Sequence, residues 1–210
     1  MTVRQWRALS YGMDLFSADA TLQPIPIEDG KLSFLPQLPL AMPNDVVLRR
    51  LLDEIAWREE TIYLFGKAQK QPRLSAWYGE ASYTYSGRTF QPLPFTPLLQ
   101  EIRRAVESAT GERFNSVLLN CYRNERDSMG FHSDDEPELG PEPAIASVTF
   151  GATRTFILKH RKQPWTLKLD LTDGSLLLMA GVLQRHWRHG INKETRPRGL
   201  RVNLTFRMIR

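Results

Sequence analysis

Apolar residues recur at helical spacing twice in the first half of the chain, and turn residues mark where each stretch begins or ends. Asn44 can cap a helix that runs to about Arg58. A second helix is predicted by Thr96 at the cap position, Pro97 at the first helical position and Gly111 at the stop. The sequence therefore predicts two amphipathic helices before residue 112.

Elsewhere the pattern favours strands. Residues 61–90 are rich in aromatic and β-branched residues broken by glycine and proline, which predicts hairpins. Short runs without intervening helices favour a sandwich or barrel over a parallel α/β sheet, so the predicted class is α+β. The predicted strands are Ser116–Tyr122, Ile145–Phe150, Thr155–His160, Thr166–Leu171, Ser175–Met179, Trp187–Ile191 and Leu200–Met208.

The length of 210 residues fits one domain, or a core with an N-terminal extension. Residues 1–42 are spaced by prolines and predict an irregular arm with one short strand. Cys121 is the only cysteine, which excludes an intramolecular disulfide and fits a reducing compartment. No apolar run approaches a signal peptide or the roughly 20 residues of a membrane span, so a cytoplasmic protein without membrane contact is expected.

The chain carries a formal charge of +5, with 21 arginines and 7 lysines. A basic surface attracts polyanions, and arginine pairs well with phosphate. A GC-rich genome produces the same arginine bias. Charge alone therefore leaves nucleic-acid binding open.

His132 and Asp134 are the first candidates for chemistry. Two residues apart on an extended segment, they project to one face and can share a metal ion. The pair alone is a weak signal because most such pairs are solvated surface groups. His186 and His189 are candidates for a third ligand, and two histidines with one carboxylate are typical of non-haem Fe(II) oxygenases. A closed structural zinc site would need a fourth ligand, usually cysteine.

The last strand has polar residues at alternate positions, namely Arg201, Asn203, Thr205 and Arg207. Such a face on an edge strand is ordinarily wet. Turned into a barrel, its two guanidinium groups could hold the two carboxylates of a dicarboxylic acid. Asn120 and Tyr122 add an amide and a phenol on one face of an earlier strand.

These motifs together resemble the AlkB family of Fe(II)/2-oxoglutarate-dependent dioxygenases, the nucleic-acid alkylation repair homologues. The resemblance runs from about Ile62 to the C-terminus. It implies a double-stranded β-helix (jelly-roll) core in residues 113–210, preceded in residues 1–112 by an N-terminal extension, helices and a nucleotide-recognition lid. The segments that carry it are Gln71–Glu80, Asn120–Glu125, His132–Glu136, Ile145–Gly151 and Arg201–Arg207.

The resemblance also implies an Fe(II) site formed by His132, Asp134 and a distal histidine. The family's Trp-x-His pattern favours His189 over His186 for that ligand. The implied reaction consumes 2-oxoglutarate and O₂, hydroxylates an N-alkyl carbon and releases formaldehyde. For 2-oxoglutarate, the implied contacts are Arg201, Tyr122 and Asn203 at the far carboxylate, Arg207 and Asn120 at the iron-chelating end, and Thr205 beside them.

The implied substrate is DNA, single- or double-stranded, with lesions of the 1-methyladenine and 3-methylcytosine type. Phe65 would be the tip of an inserted hairpin, although a core-facing aromatic would look the same. Further implied substrate contacts are Lys67, Arg73, Tyr83, Tyr85, Asp135 and Glu136, and the basic residues Arg154, Arg161, Lys162 and Arg188 could line a groove. The central motifs resemble single-strand-preferring members while Phe65-Gly66-Lys67 resembles duplex-acting ones, so strand preference stays open.

Three alternatives remain at this stage. The same site could act on RNA, a protein or a small molecule. The fold could serve as a catalytically inert nucleic-acid binder. A zinc or nickel cupin-like enzyme would share the barrel but has no need of paired arginines. The protein is expected to be a monomer.

Overall fold

The computed structural model describes residues 21–64, 67–80, 83–85, 88–90 and 92–210. Its helices are α1 (Asn44–Glu54), α2 (Pro97–Thr110) and α3 (Leu183–His186), with a 3₁₀ turn at Pro137–Leu139. The first strands are β1 (Gln23–Ile25), β2 (Lys31–Leu35), β3 (Thr61–Leu64), β4 (Lys67–Lys70), β5 (Leu74–Gly79), β6 (Tyr83–Tyr85) and β7 (Arg88–Phe90). They are followed by β8 (Ser116–Tyr122), β9 (Met129–His132), β10 (Ile145–Gly151), β11 (Arg154–His160), β12 (Thr166–Leu171), β13 (Leu176–Ala180), β14 (Trp187–Ile191) and β15 (Arg201–Arg207).

Two antiparallel sheets form the core. The major sheet has the order β1-β2-β13-β10-β15-β8-β5, and the minor sheet has the order β12-β11-β14-β9. From β8 onward the chain passes repeatedly between the sheets, so that four strands of each face one another. This arrangement confirms the jelly-roll prediction.

Helices α1 and α2 cover the outer face of the major sheet. Thr96 Oγ1 accepts a hydrogen bond from the Leu99 backbone N–H at 3.2 Å, and Gly111 ends α2 in the left-handed region (φ +74°). The predicted cap, proline and stop of this helix are therefore confirmed. Its buried stripe packs in one cluster with Leu204 and Phe206 of β15.

Strand β15 is central, not an edge. It lies between β10 and β8, and all seven of its residues are buried. Its apolar residues pack toward the helices, whereas its polar residues line a pocket between the sheets. Period-two alternation thus predicted its two faces correctly.

The N-terminal part differs from the sequence prediction. Residues 21–42 carry β1 and β2, which extend the major sheet beyond β13, so the expected arm with one short strand was wrong there. Pro24 is tolerated because β1 is the edge of that sheet. Asn44 does not cap α1; it is the first helical residue, and its side chain bonds Gln37. The helix ends at Glu54 because Ile55 is extended and buried.

Strand β5 also joins the major sheet, beside β8, so residues before 113 contribute to the same layer as the core strands. The segments β3–β4 and β6–β7 form two-stranded hairpins, as predicted for residues 61–90. Among the described helices, none has the length and apolar character needed to span a membrane.

Candidate active site

His132 and His189 face each other across neighbouring strands of the minor sheet. They are register partners of β9 and β14, with ring centroids 4.5 Å apart. Asp134 follows just past β9, with its carboxylate 3.7 Å from His132 Nε2 and 3.8 Å from His189 Nε2. The ligand atoms of all three lie within 4.8 Å of one another, so this group could hold a metal ion. Cross-strand pairing therefore brings together two histidines that are 57 positions apart in the sequence.

Backbone contacts orient these side chains. His132 Nδ1 lies 2.9 Å from the Gly130 carbonyl oxygen. Since a carbonyl only accepts, Nδ1 donates, which leaves the lone pair of His132 on Nε2. The Asp134 backbone N–H donates to Gln184 Oε1 at 3.0 Å. These contacts present nitrogen and oxygen ligand atoms in the form that Fe(II) accepts.

Arg207 occupies only one oxygen of Asp134. Its Nη2 donates to Oδ1 at 2.7 Å, and both side chains are almost fully buried. Asp134 Oδ2 is buried without a hydrogen-bond partner among the described residues. A buried carboxylate oxygen beside two imidazole nitrogens is a costly arrangement unless a cation completes it. The donor set and this orphaned oxygen therefore fit a divalent metal.

Electrostatics keep Asp134 and His189 in metal-binding protonation states. Burial opposes ionisation of Asp134, but the nearby charge of Arg207, with those of the two histidines, outweighs it and holds the pKa of this carboxyl well below its ordinary value. Burial first, and then repulsion from His132, lowers the pKa of His189 to about 3. An ionised carboxylate and a neutral imidazole are the ligand forms that metals require.

A second group of possible ligands, Asp29, His160 and His186, lies elsewhere. His160 Nδ1 accepts backbone hydrogen bonds from Lys162 at 3.2 Å and Gln163 at 2.9 Å. The proton of a neutral His160 is therefore on Nε2, which points to Asp29 Oδ2 at 3.1 Å. A nitrogen that carries a proton has no lone pair for a metal. His186 belongs to this group, and His189 to the first.

The polar face of β15 forms the floor of a pocket that reaches the metal ligands. The register of β15 with β8 places Arg201 opposite Tyr122 and Asn203 opposite Asn120. The pocket is lined by all six residues predicted to contact 2-oxoglutarate, namely Asn120, Tyr122, Arg201, Asn203, Thr205 and Arg207. Arg207 lies at its metal end, through the ion pair with Asp134.

Arg201 carries unused donors inside this pocket. Its Nη2 donates to Thr149 Oγ1 at 3.0 Å, while Nε and Nη1 are buried and have no hydrogen-bond partner in the described part of the chain. Burial lowers the pKa of this guanidinium, because a charge removed from water is destabilised. Unsatisfied donors on a buried guanidinium favour carboxylate oxygens as their acceptors. The residues present therefore fit a small molecule with a carboxylate at the end remote from the metal.

A larger pocket opens onto His132 and Asp134 from outside. The two pockets share His132, Asp134 and Arg207. Arg73 and Glu136, both predicted substrate contacts, line the outer pocket. Arg73 Nε donates to Asn120 Oδ1 at 2.7 Å, and Glu136 Oε2 is buried without a hydrogen-bond partner.

The structure describes the other predicted substrate contacts in less detail. Asp135 is exposed and pairs with Arg161 at 2.8 Å. Phe65 lies outside the described residues. For Lys67, Tyr83 and Tyr85, only the backbone pairing in the two hairpins is described.

Several residues around the site were not predicted from the sequence. Gln184 and Trp187 hold the segment of Asp134: the Ser133 hydroxyl donates to the Trp187 carbonyl oxygen at 2.8 Å. Phe156 stacks on His189 at 5.2 Å. Arg154, grouped with surface arginines by its charge, is fully buried instead. Their roles depend on tertiary contacts, for which the local sequence carries no signal.

Comparison with known proteins agrees with this geometry. Residues 34–207 match the model of the 2OG-Fe(II) oxygenase superfamily. The solved structure of OsALKBH1 superposes with a TM-score of 0.61 at 19% identity, covering 88% of this chain and 99% of that one, which supports the fold.

Two curated relatives are more similar in sequence. Human alpha-ketoglutarate-dependent dioxygenase alkB homolog 3 is 45% identical over 175 residues, which are 79% of this chain and 61% of the relative. Mouse DNA oxidative demethylase ALKBH2 is 41% identical over 178 residues, which are 79% of this chain and 74% of the relative. The chain thus spans about three fifths of the length of the alkB homolog 3 proteins. With the superfamily match and the buried His132–Asp134–His189 group, these similarities show that the chain belongs to the AlkB family of 2-oxoglutarate-Fe(II) oxygenases.

Proposed function

We propose that this protein is an oxidative demethylase that removes N-alkyl groups from DNA bases, with Fe(II), 2-oxoglutarate and O₂. The lesions would be of the 1-methyladenine and 3-methylcytosine type, and the released product would be formaldehyde. One observation carries the proposal: an inner pocket that fits a dicarboxylate and a larger outer pocket meet at His132 and Asp134, two of the three candidate metal ligands. The mouse relative's name, DNA oxidative demethylase, supports the substrate class.

In this proposal, His132, Asp134 and His189 hold Fe(II), whose bound form supplies the oxidation that couples 2-oxoglutarate decarboxylation to hydroxylation of the alkyl carbon. Arg207 keeps Asp134 ionised and fixes its orientation. Arg201 offers its buried guanidinium to the far carboxylate. The sandwich keeps both arginines buried, so water does not compete for these contacts.

The substrate would enter through the outer pocket. A methyl group on the Watson–Crick edge is inaccessible inside a duplex, so the base must be flipped or already unpaired. Glu136 offers a buried carboxylate oxygen in that pocket, where it could accept a hydrogen bond from an exocyclic amine. Tyr85 of the second hairpin would stack on the base, and Tyr83 would touch its polar edge. Phe65 and Lys67 would contact the neighbouring nucleotides, and Asp135 the polar edge of the base.

Mass spectrometry tests the proposal directly. Oligonucleotides with one 1-methyladenine or 3-methylcytosine, as single- and double-stranded DNA and as RNA, are incubated with protein, Fe(II), ascorbate and 2-oxoglutarate. For each repaired lesion we expect the oligonucleotide to lose about 14 Da, the mass of one CH₂ unit, because demethylation replaces a methyl group by hydrogen. This loss should require 2-oxoglutarate and should be absent in His132→Ala. Succinate release without any loss of methyl from these oligonucleotides would refute the nucleic-acid substrate while leaving the oxygenase core intact.

A further inference from the structure

Arg154 is a fully buried arginine outside the residues assigned to metal, cosubstrate or substrate. It begins β11, and its side chain has 0% exposure. Nε donates to Glu194 Oε1 at 2.9 Å, and Nη2 donates to the Asp127 and Asn192 carbonyl oxygens at 3.0 and 2.6 Å. Nη1 completes the set with the Asn124 carbonyl oxygen at 3.2 Å.

These contacts join two loops that serve the active site. Residues 123–128 connect the strand that carries Tyr122 to the strand that carries His132. Residues 192–200 connect the strand that carries His189 to the strand that carries Arg201. One guanidinium therefore bonds the backbone of both loops.

Arg154 also lies close to the far end of the inner pocket. Its guanidinium carbon is 5.8 Å from the centre of the Tyr122 ring, and that of Arg201 is 5.0 Å from the same centre. Both cations thus share one aromatic ring. The charge of Arg154 adds to burial in lowering the pKa of Arg201, as expected for two nearby like charges with little water between them.

We propose that Arg154 is a positioning residue that makes the inner pocket select a carboxylate at its far end. Through Tyr122 and the two loops it holds the wall against which Arg201 lies. Its buried positive charge adds to the potential at Arg201, so a carboxylate bound there is attracted by two cations. A ligand that lacks the far carboxylate gains nothing from this potential. The inference rests on the proposed use of 2-oxoglutarate.

The test compares two ligands with the same keto-acid end. 2-Oxoglutarate has the far carboxylate, and 2-oxopentanoate ends in a methyl group. Dissociation constants for both are measured by titration calorimetry on the Fe(II)-loaded protein without O₂. The ratio of the two constants isolates the contribution of the far carboxylate, because contacts at the metal end cancel.

For Arg154→Met we expect 2-oxoglutarate to bind about tenfold more weakly, the lower end of the effect of a neighbouring charge on a buried ion. The affinity for 2-oxopentanoate should stay the same, and Arg154→Lys, which keeps the charge, should recover most of the ratio. Arg198→Met is the matched control, since Arg198 also pairs with Glu194 but is 38% exposed. Its ratio should equal that of the wild type.

Glu194→Gln provides an independent test that keeps Arg154 in place. The amide oxygen can still accept the Nε hydrogen bond, but the charge that offsets Arg154 is removed. The ratio should then rise in favour of 2-oxoglutarate. Equal weakening of both ligands in Arg154→Met would show a purely structural clamp and overturn the inference, as would an unchanged ratio in Glu194→Gln. Absence of 2-oxoglutarate binding to the wild type would instead refute the proposed function.

Discussion

Two arginines on the same face of β15 should affect stability in opposite directions. Arg207 is paired with Asp134, whereas Arg201 has two buried donors without partners. A lowered pKa of a basic group means that folding disfavours its charged form, so the charge of Arg201 costs stability in the ligand-free protein. The face proposed to bind the cosubstrate is therefore less stable before a ligand binds.

We expect Arg201→Met to raise the free energy of unfolding of the ligand-free protein. Replacing a buried charge that lacks an ionic partner with an apolar side chain of similar volume contributes about 2 kcal/mol. Loss of the hydrogen bond to Thr149 lowers the free energy of unfolding by about 1 kcal/mol. The net gain of about 1 kcal/mol corresponds to a rise in Tm of about 3 °C for a chain of this size.

Arg207→Met is the matched comparison. It removes one partner of a buried ion pair and leaves the charge of Asp134 uncompensated, which costs about 3–5 kcal/mol. The expected fall in Tm is about 10 °C. Strand, face and substitution are the same in both variants, so the difference in sign isolates the pairing of the charge.

Thermal denaturation followed by circular dichroism, in chelator and without 2-oxoglutarate, measures both effects. Relative to each protein loaded with metal alone, 2-oxoglutarate at a hundred times its wild-type Kd should stabilise the wild type by about 2.7 kcal/mol and Arg201→Met by almost nothing. A ligand-free Arg201→Met protein that melts below the wild type would refute the argument from unpaired donors.

Three further predictions concern the scaffold. Thr96→Ala should lower the free energy of unfolding by about 1 kcal/mol in urea denaturation, with Thr96→Ser near neutral, because the hydroxyl caps α2. Burial raises the pKa of the Cys121 thiol to about 11, so a thiol reagent at pH 8 should label the native protein far more slowly than the denatured one. Since the folded state keeps the thiol proton to higher pH than the unfolded state, its contribution to the free energy of unfolding is present below pH 9.0 and should be lost as the pH rises to about 11. If the free energy of unfolding fell with pH equally steeply in Cys121→Ala over this range, the prediction would be contradicted. Gly151→Ala should lower the free energy of unfolding strongly in the same urea assay, because Gly151 has φ +88° and an added Cβ would overlap the Leu200 carbonyl oxygen. Gly111→Ala should cost only about 1 kcal/mol, because the space around its Cβ position is open.

The sequence predicted which face of a strand a side chain occupies better than it predicted which strands pair with each other. Alternation along β15 assigned its polar residues to one side because side chains on a strand alternate. It could not reveal that the strand is central, since pairing with β10 and β8 depends on residues more than 50 positions away. Likewise His132 and Asp134 share a face by local geometry, but only the register of β9 with β14 brings His189 to them.

The failures have a common physical origin. Strand β9 has four residues, including Gly130, and too little alternation to be recognised locally. Asn44 is a residue type that often caps helices, but its side chain is hydrogen-bonded to Gln37 and Asp173. The N-cap position of α1 is the preceding residue, Pro43. Arg154 resembles a surface cation until the loops around it supply four hydrogen-bond partners. In each case a contact remote in sequence outweighs the local preference.

The two sheets supply different halves of the site. The minor sheet carries both histidines, the major sheet carries Arg201 and Arg207, and the Arg207–Asp134 ion pair crosses between them. Each half is fixed by strand register, but their separation is set by the apolar residues packed between the sheets, including Phe156, which stacks on His189. In the proposed function, a metal ion would contact the half with His132 and His189, whereas a dicarboxylate would have to reach the major-sheet arginines as well. Loosening of the packing between the sheets should therefore weaken cosubstrate binding before it weakens metal binding.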